Sequence, residues 1–414
     1  MKIGILTFHK AYNYGAFLQC YSLQKQLAVD FPDLKVEVID FASKNMVGSY
    51  HPSRMESIFG IQGAPNKPSI ILIAKRITSE IVHWKNKRFI AAQNMKRRVN
   101  FRDIGNYLPL STDSLVSDSP EEFKAFIEKQ KYDCLIVGSD AIWNDNQTSW
   151  PNLYLLHDIT CDNKLSYAAS TYGMDYSGFD KNRFSYVREA LADFKFIGVR
   201  DAVTEAYVKS CNGKVEDRVY HTCDPSIFLD LNDLPVDHKA LKEKLIQKGI
   251  DFSRPIIGLM CDNWLAQKVR NELGEEYQYV SIYVYTETAD VFLDELEPFE
   301  WAIVFSFFNA TFTHYFHGTL FSIKNGTPTF AIEKRTKYNS RYKTKIQDVL
   351  TRLQLIETNY YKYESMRPSE WKQIANIIKN VDKAYIEDEY QRKLAQEIES
   401  YKAFKRKLGE ILNE

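Results

Sequence analysis

The sequence predicts an α/β protein built as two domains. The chain opens on a strand–helix–strand pattern, "KIGILTFH", then "NYGAFLQCYSLQKQL", then "KVEVIDF". A second alternating series begins at "PIIGLMC", near residue 255. The 414 residues are also more than one core organises, so two α/β domains of ordinary size are expected.

In the first series, Phe17, Leu18, Tyr21, Leu23 and Leu27 recur close to helical spacing. The next strand alternates and ends in a carboxylate at Asp40. Such a βαβ unit puts the loop after its first strand at the ligand-facing edge of a parallel sheet. That loop holds His9, Asn13 and Gly15. Residues 43–66 carry Gly, Ser and Pro without periodicity and read as a loop. In "KYDCLIVGSDAIWND" a strand over Cys134–Val137 runs into Gly138, Ser139 and Asp140, then Trp143 and Asn144. "KLSYAASTYG" repeats the design, and "FKFIGVRDAVTEAYVKS" sets Arg200 and Asp201 just past a strand. "VYHTCDPSIFL" places Asp224 and Pro225 in a turn.

In the second series, "NWLAQKVRNEL" and "TADVFLDELEPF" read as helices, and "YQYVSIYVYT" and "WAIVFSFFNATFTHYF" as strands. "HGTLFSIKNG" reads as a short helix closed by Gly326, with Pro328 beyond it. "TPTFAIE" is a further strand, and the charged tail is helical, as one long helix or a pair. The expected division is 1–235, 236–375 and a helical tail over 376–414.

Composition excludes several classes. Lys plus Arg equals Asp plus Glu at 54 each, which argues against a dedicated nucleic-acid binder. The six cysteines are scattered without a CxxC pair, so neither a zinc site nor a disulfide framework is expected. No apolar run approaches the roughly 20 residues of a membrane span. Met1 leads directly into a strand, so a cytoplasmic protein is expected. No P-loop, GxGxxG, HExxH or GxSxG is present, and the aspartates are unclustered, so no metal is expected. The helical candidate over 68–98 is the most basic segment, with Lys85, Lys87, Arg88, Lys96, Arg97 and Arg98 among its cations. It reads as a solvated face or as a contact with an anionic membrane surface.

His317 lies where an apolar strand gives way to a short helix. The first backbone N–H groups of that helix form an anion site, and Gly318 lets a ligand approach closely. On spacing alone the other reading, a core histidine bonded to a carbonyl, stands beside it, and His314 keeps that reading. Downstream, "EKRTKYNSRYKTK" concentrates Lys334, Arg335, Lys337, Arg341, Lys343 and Lys345. This is either a solvated loop or the border of the same cleft; Arg suits a bidentate grip on carboxylate or phosphate.

Four blocks in order, "ILTFHKAYNYGAFLQCYSLQKQL", "YDCLIVGSDAIWN", "KLSYAAS" with "GVRDAVT", and "FHGTLFSIKNGTPTF" with "NSR", resemble the polysaccharide pyruvyl transferase family over about residues 1 to 360. The resemblance implies two Rossmann-like domains facing a cleft, as in GT-B-like glycosyltransferases. It implies transfer of the pyruvyl group of phosphoenolpyruvate to a sugar as a ketal, with no cofactor and no metal. The acceptor would be a polysaccharide or its lipid-linked precursor in exopolysaccharide or cell-wall glycan assembly. A cytoplasmic protein would then touch the inner membrane face through its basic helix. The family histidine falls on His317, with Asp140 as a second catalytic candidate or a turn cap. Arg200, Gly318, Lys337 and Arg341 fall on the donor side. His9, Asn13, Gly15, Ser139 and Asn144 line the acceptor side or hold its loops. The sequence departs from the family at Tyr315, where many members carry Arg, at Ala141 in place of Gln, and at Lys324 and Asn325 where apolar residues are common. A sugar-nucleotide glycosyltransferase and a non-catalytic glycan-binding protein are the alternatives.

Overall fold

The computed structural model describes residues 1–50, 99–101, 104–211, 215–337, 341–380 and 382–413. The basic segment 68–98, and most of the loop expected over 43–66, lie outside the described residues. Two compact units divide the chain. One contains the described residues of 1–50, 104–226 and 400–413; the other contains 99–101 and 227–399. The boundary therefore falls at Ser226 and Ile227, nine residues before the expected position, and the expected tail is shared between the units.

The first unit is a seven-stranded parallel sheet: β1 (Lys2–Leu6), β2 (Lys35–Ala42), β3 (Leu110–Val116), β4 (Cys134–Val137), β5 (Lys164–Ala169), β6 (Phe194–Val199) and β7 (Val219–His221). Its spatial order is β3-β2-β1-β4-β5-β6-β7. The chain winds outward from β1 in one direction and then returns to continue from β4 in the other. Adjacent β1 and β4 thus form the switch point where ligands bind in such sheets. The central strands are apolar on both faces, with Ile3, Ile5, Leu135, Ile136 and Val137 fully buried, because helices cover both faces of a parallel sheet.

The second unit repeats the design with six parallel strands: β8 (Ile256–Met260), β9 (Gln278–Ile282), β10 (Val291–Leu293), β11 (Ala310–Thr313), β12 (Thr329–Glu333) and β13 (Tyr360–Lys362). Their order, β10-β9-β8-β11-β12-β13, puts a switch point between β8 and β11. The register there pairs Met260 with Thr313.

Three segments differ from expectation. "TADVFLDELEPF" is not a helix: Val291, Phe292 and Leu293 pair with β9 as an edge strand. The helix starts later, at Pro298, where Glu297 and Glu300 form a capping box. "WAIVFSFF" is helical rather than strand, continuing to Phe307 as a 3-10 turn, and β11 occupies only Ala310–Thr313. Trp301, Ala302, Ile303, Val304 and Phe305 are all buried, and a continuous apolar run does not by itself distinguish a buried helix from a strand. Residues expected as loop form the helix Lys44–Tyr50, whose entry is fixed by Ser43 Oγ accepting from Met46 N at 3.2 Å. The tail forms one helix from Lys383 to Asn413. Its last part joins the first unit: Cys223 N donates to Ser400 Oγ at 2.8 Å, and Tyr401 and Lys405 both bind Asp30.

Candidate active site

At the carboxyl edge of the first sheet, Asn13 caps the helix Tyr14–Asp30, its Oδ1 accepting from Ala16 N at 3.3 Å. Gly15 lies buried in that first turn. His9 is buried beside Asp40, at the end of β2; its Nε2–H donates to Asp40 Oδ1 at 2.8 Å. Lys10 Nζ reaches the same oxygen at 2.9 Å and Ser114 Oγ at 2.8 Å. Burial opposes ionisation of Asp40, but hydrogen bonds from His9, Lys10 and Ser114 outweigh it and hold the carboxyl well below the usual range. The sequence showed Asp40 as a strand-end carboxylate. It did not show the pairing, which parallel register creates between residues 31 apart.

After β4 the chain turns sharply. Gly138 has φ +126°, and a β-carbon there would lie 1.9 Å from the Tyr167 carbonyl oxygen. Ser139 is fully buried, and its carbonyl accepts from Thr7 Oγ1 at 3.0 Å, tying the β4 loop to the β1 loop. Asp140 adopts φ +81° and binds its own following amide, Ala141 N, at 2.8 Å. This is the turn-capping arrangement expected of a short carboxylate in a left-handed conformation. Asn144 holds the next turn: its Nδ2 donates to Tyr172 O at 2.5 Å, and its Oδ1 accepts from Asn146 N at 2.9 Å.

Arg200 is placed differently from a surface anion grip. It is only 1% exposed, with Nη1 donating to Asp224 Oδ2 at 3.0 Å and Nη2 3.6 Å from Asp140 Oδ1. Gln19 also donates to Asp224, whose Oδ1 accepts from Ser226 N at 3.0 Å. Desolvation opposes the charge on Arg200, but Asp224, Asp140 and Asp201 outweigh it and keep the guanidinium protonated. Asp201 itself opens the helix Ala202–Cys211, accepting from Thr204 N at 2.8 Å. The structure therefore joins Arg200 to Asp140 in one buried ion cluster at the ends of β4, β6 and β7.

In the second unit, His317 is the second residue of the helix Phe316–Lys324, directly after β11 and beside the β8–β11 switch point. It is half-buried, with its ring edge-to-face against Phe316 at 5.0 Å. Tyr315 occupies the N-cap without a side-chain cap bond. Instead Thr313 Oγ1 accepts from Tyr315 N at 2.9 Å and fixes the strand-to-helix turn. Gly318 has a local reason beyond ligand approach: a β-carbon would lie 2.6 Å from Thr313 Oγ1 and 2.7 Å from Met260 Sδ. The first turn thus rests on the ends of β8 and β11.

His314 stacks parallel to Trp264 at 6.0 Å, with Nε2 3.7 Å from Asp262 Oδ2. Burial pushes its pKa down, and Asp262 only partly restores it. The two polar departures in the His317 helix have clear uses. Lys324 Nζ donates to the Ile227 carbonyl at 2.8 Å, and Asn325 Nδ2 donates to the Ala302 carbonyl at 2.8 Å. Lys337 and Arg341 are exposed in the segment after β12. Sequence reasoning missed Asp224 as the main partner of Arg200.

Two parallel α/β units, each with ionisable side chains at the carboxyl edge of its sheet, define a GT-B-like fold. Solved structures agree. A UDP-GlcNAc 2-epimerase from Methanocaldococcus jannaschii aligns with a TM-score of 0.50 at 9% identity, over 92% of this chain and 94% of that one. The Anabaena protein HepE in complex with UDP and glucose aligns at 0.51 and 9% identity, over 100% of this chain and 99% of that one. No curated protein matches significantly by sequence. The model of the family "Polysaccharide pyruvyl transferase" matches residues 13–333. The chain belongs to the polysaccharide pyruvyl transferase family.

Proposed function

We propose that the protein transfers the pyruvyl group of phosphoenolpyruvate to two hydroxyls of a saccharide, forming a ketal and releasing phosphate. The family match across residues 13–333 carries this reading. The position of His317, on a helix N-terminus at a switch point, supports it. Protonated His317 gives its proton to the methylene carbon of the donor. A sugar hydroxyl oxygen bonds to the neighbouring carbon and releases its proton to a base. Phosphate then leaves with the C–O bonding pair, and the second hydroxyl closes the ring, its proton returning to His317. Histidine suits both directions near neutral pH.

The donor's phosphate and carboxylate would be held by the first-turn N–H groups around Gly318, with Lys337 and Arg341. Arg200 would act through Asp140 rather than by touching the donor, given its burial with carboxylates. His9, with Asp40, would serve the acceptor side, while Asn13, Gly15, Ser139 and Asn144 hold its loops. The acceptor would be a polysaccharide unit or its lipid-linked precursor on the cytoplasmic side. Peripheral membrane contact through the basic segment 68–98 belongs to the same proposal. Among the described residues, no helix is long and apolar enough to cross a membrane.

A second reading, glycosyl transfer from a sugar nucleotide, draws on HepE, whose solved complex holds UDP and glucose. Calorimetric titration with phosphoenolpyruvate and with uridine diphosphate sugars, each with and without magnesium, separates the two. Metal-independent binding of phosphoenolpyruvate, weakened in His317→Ala, is the expected result. Binding of a nucleotide sugar alone would overturn the pyruvyl reading.

A further inference from the structure

A cavity of about 370 Å³ opens beside β12 and β13 in the second unit. Its lining includes Glu333, Arg335, Gln347, Tyr360, Lys362 and Glu364. Of these, only Arg335 was among the residues expected to border the cleft. Glu333 and Lys362 are register partners at the strand ends, so the cavity sits on the same carboxyl edge as His317. β12 is the direct neighbour of β11. The cavity therefore lies about two strand spacings, roughly 10 Å, from the strand end that leads to His317.

Charge and hydrogen-bond capacity indicate what it would hold. Among the described residues, two carboxylates and two cations line it, so these charges cancel. A balanced lining is poorly matched to phosphoenolpyruvate or to a nucleoside diphosphate, which need a cationic excess. The side chains combine acceptors (Glu333, Glu364) with donors (Arg335, Lys362 and the Gln347 amide) and a tyrosine ring. Such a mixture suits a neutral ligand that both gives and takes hydrogen bonds.

The floor is pre-formed. Glu333 is half-buried and held by Thr344 Oγ1 at 2.6 Å. The Thr344–Gln347 capping box fixes the amide, Thr344 N donating to Gln347 Oε1 at 2.9 Å. Glu364 is anchored by Arg335 N at 3.0 and 3.1 Å.

We propose that the cavity lined by Glu333, Arg335, Gln347, Tyr360, Lys362 and Glu364 is a saccharide subsite, binding a neutral sugar residue of the acceptor next to the one that reacts. Its role as an acceptor subsite rests on the pyruvyl-transfer reading; its affinity for a neutral sugar does not.

The test is saturation-transfer NMR on the full chain without donor. The probes are methyl glycosides of glucose, galactose, mannose, N-acetylglucosamine and N-acetylmannosamine, and β-linked disaccharides of the same sugars. At least one probe is expected to bind the wild type, and about tenfold more weakly to Glu333→Gln and Lys362→Ala. Glu333→Gln keeps the side-chain shape, and Lys362 is exposed, so melting temperatures of both should stay near wild type. Phosphoenolpyruvate affinity, measured separately, should not change in either variant. No binding by any probe, or equal binding by both variants, would overturn the subsite. So would loss of phosphoenolpyruvate affinity in the variants, which would make the cavity a donor site. A wild type that binds sugars but not phosphoenolpyruvate keeps the subsite and removes the pyruvyl reading.

Discussion

Gly318 and Thr313 are packed so closely that a β-carbon on the glycine would lie 2.6 Å from the threonine hydroxyl. Met260 closes the other side at 2.7 Å. This contact sets the height of the helix carrying His317 above its sheet. Gly318→Ala should force a shift of a few tenths of an ångström or more and cost about 1–3 kcal/mol. Catalytic rate should fall further than the stability loss explains, because the shift moves His317. Thermal melting together with steady-state kinetics checks both; an unchanged melting temperature and rate would show that the packing has slack.

Arg200 is expected to matter through folding. Arg200→Met leaves Asp224 and Asp140 without their shared cation, and breaking a buried pair in this way costs about 3–5 kcal/mol. Urea unfolding should show that loss. The double variant Arg200→Met with Asp224→Asn should recover part of it. A variant of wild-type stability with weakened phosphoenolpyruvate binding would instead make Arg200 a direct donor ligand.

Asp40 gives a pH signature. Its folded pKa lies below its unfolded one, so its contribution is fully present above the unfolded value, roughly pH 4. It is lost as pH falls toward the folded value. Asp30 and Glu37 shift in the same direction, so the difference between wild type and variant is the informative quantity. The stability gap between wild type and Asp40→Asn should be widest at pH 6 and shrink below pH 4. A gap that does not vary over that range would contradict the pairing with His9 and Lys10.

Gly138 is the stricter of the two glycine sites. Gly138→Ala combines a positive φ with a collision against the Tyr167 backbone, which a side-chain movement does not relieve. The expected outcome is a loss of at least about 3 kcal/mol, read by chemical denaturation or as failure to accumulate soluble protein. A stable Gly138→Ala protein would mean that the β4 loop has an alternative path.

Much of this framework is legible in the sequence because local pattern and tertiary role agree. The first βαβ unit follows from alternation and helical spacing. The His317 helix follows from its Gly326 and Pro328 stop signals. Legibility ends where two structures share one pattern: "WAIVFSFF" is apolar throughout, and only packing decides that it is helical. It ends again where neutralising partners come from distant strand ends. Nothing near Arg200 announces Asp140 or Asp224, so an arginine that looks like an anion ligand is a buried ion-pair centre. The β12–β13 cavity was invisible for the same reason, since Glu333 and Lys362 meet only through strand register.

The most direct test of the role given to His317 is phosphate release from phosphoenolpyruvate in the presence of saccharide acceptors, comparing wild type with His317→Ala. The expected result is acceptor-dependent release by the wild type, reduced about 10²–10⁴-fold in the variant, with a much smaller loss of donor affinity. Release by His317→Ala at the wild-type rate would contradict the assignment of His317 as the proton donor.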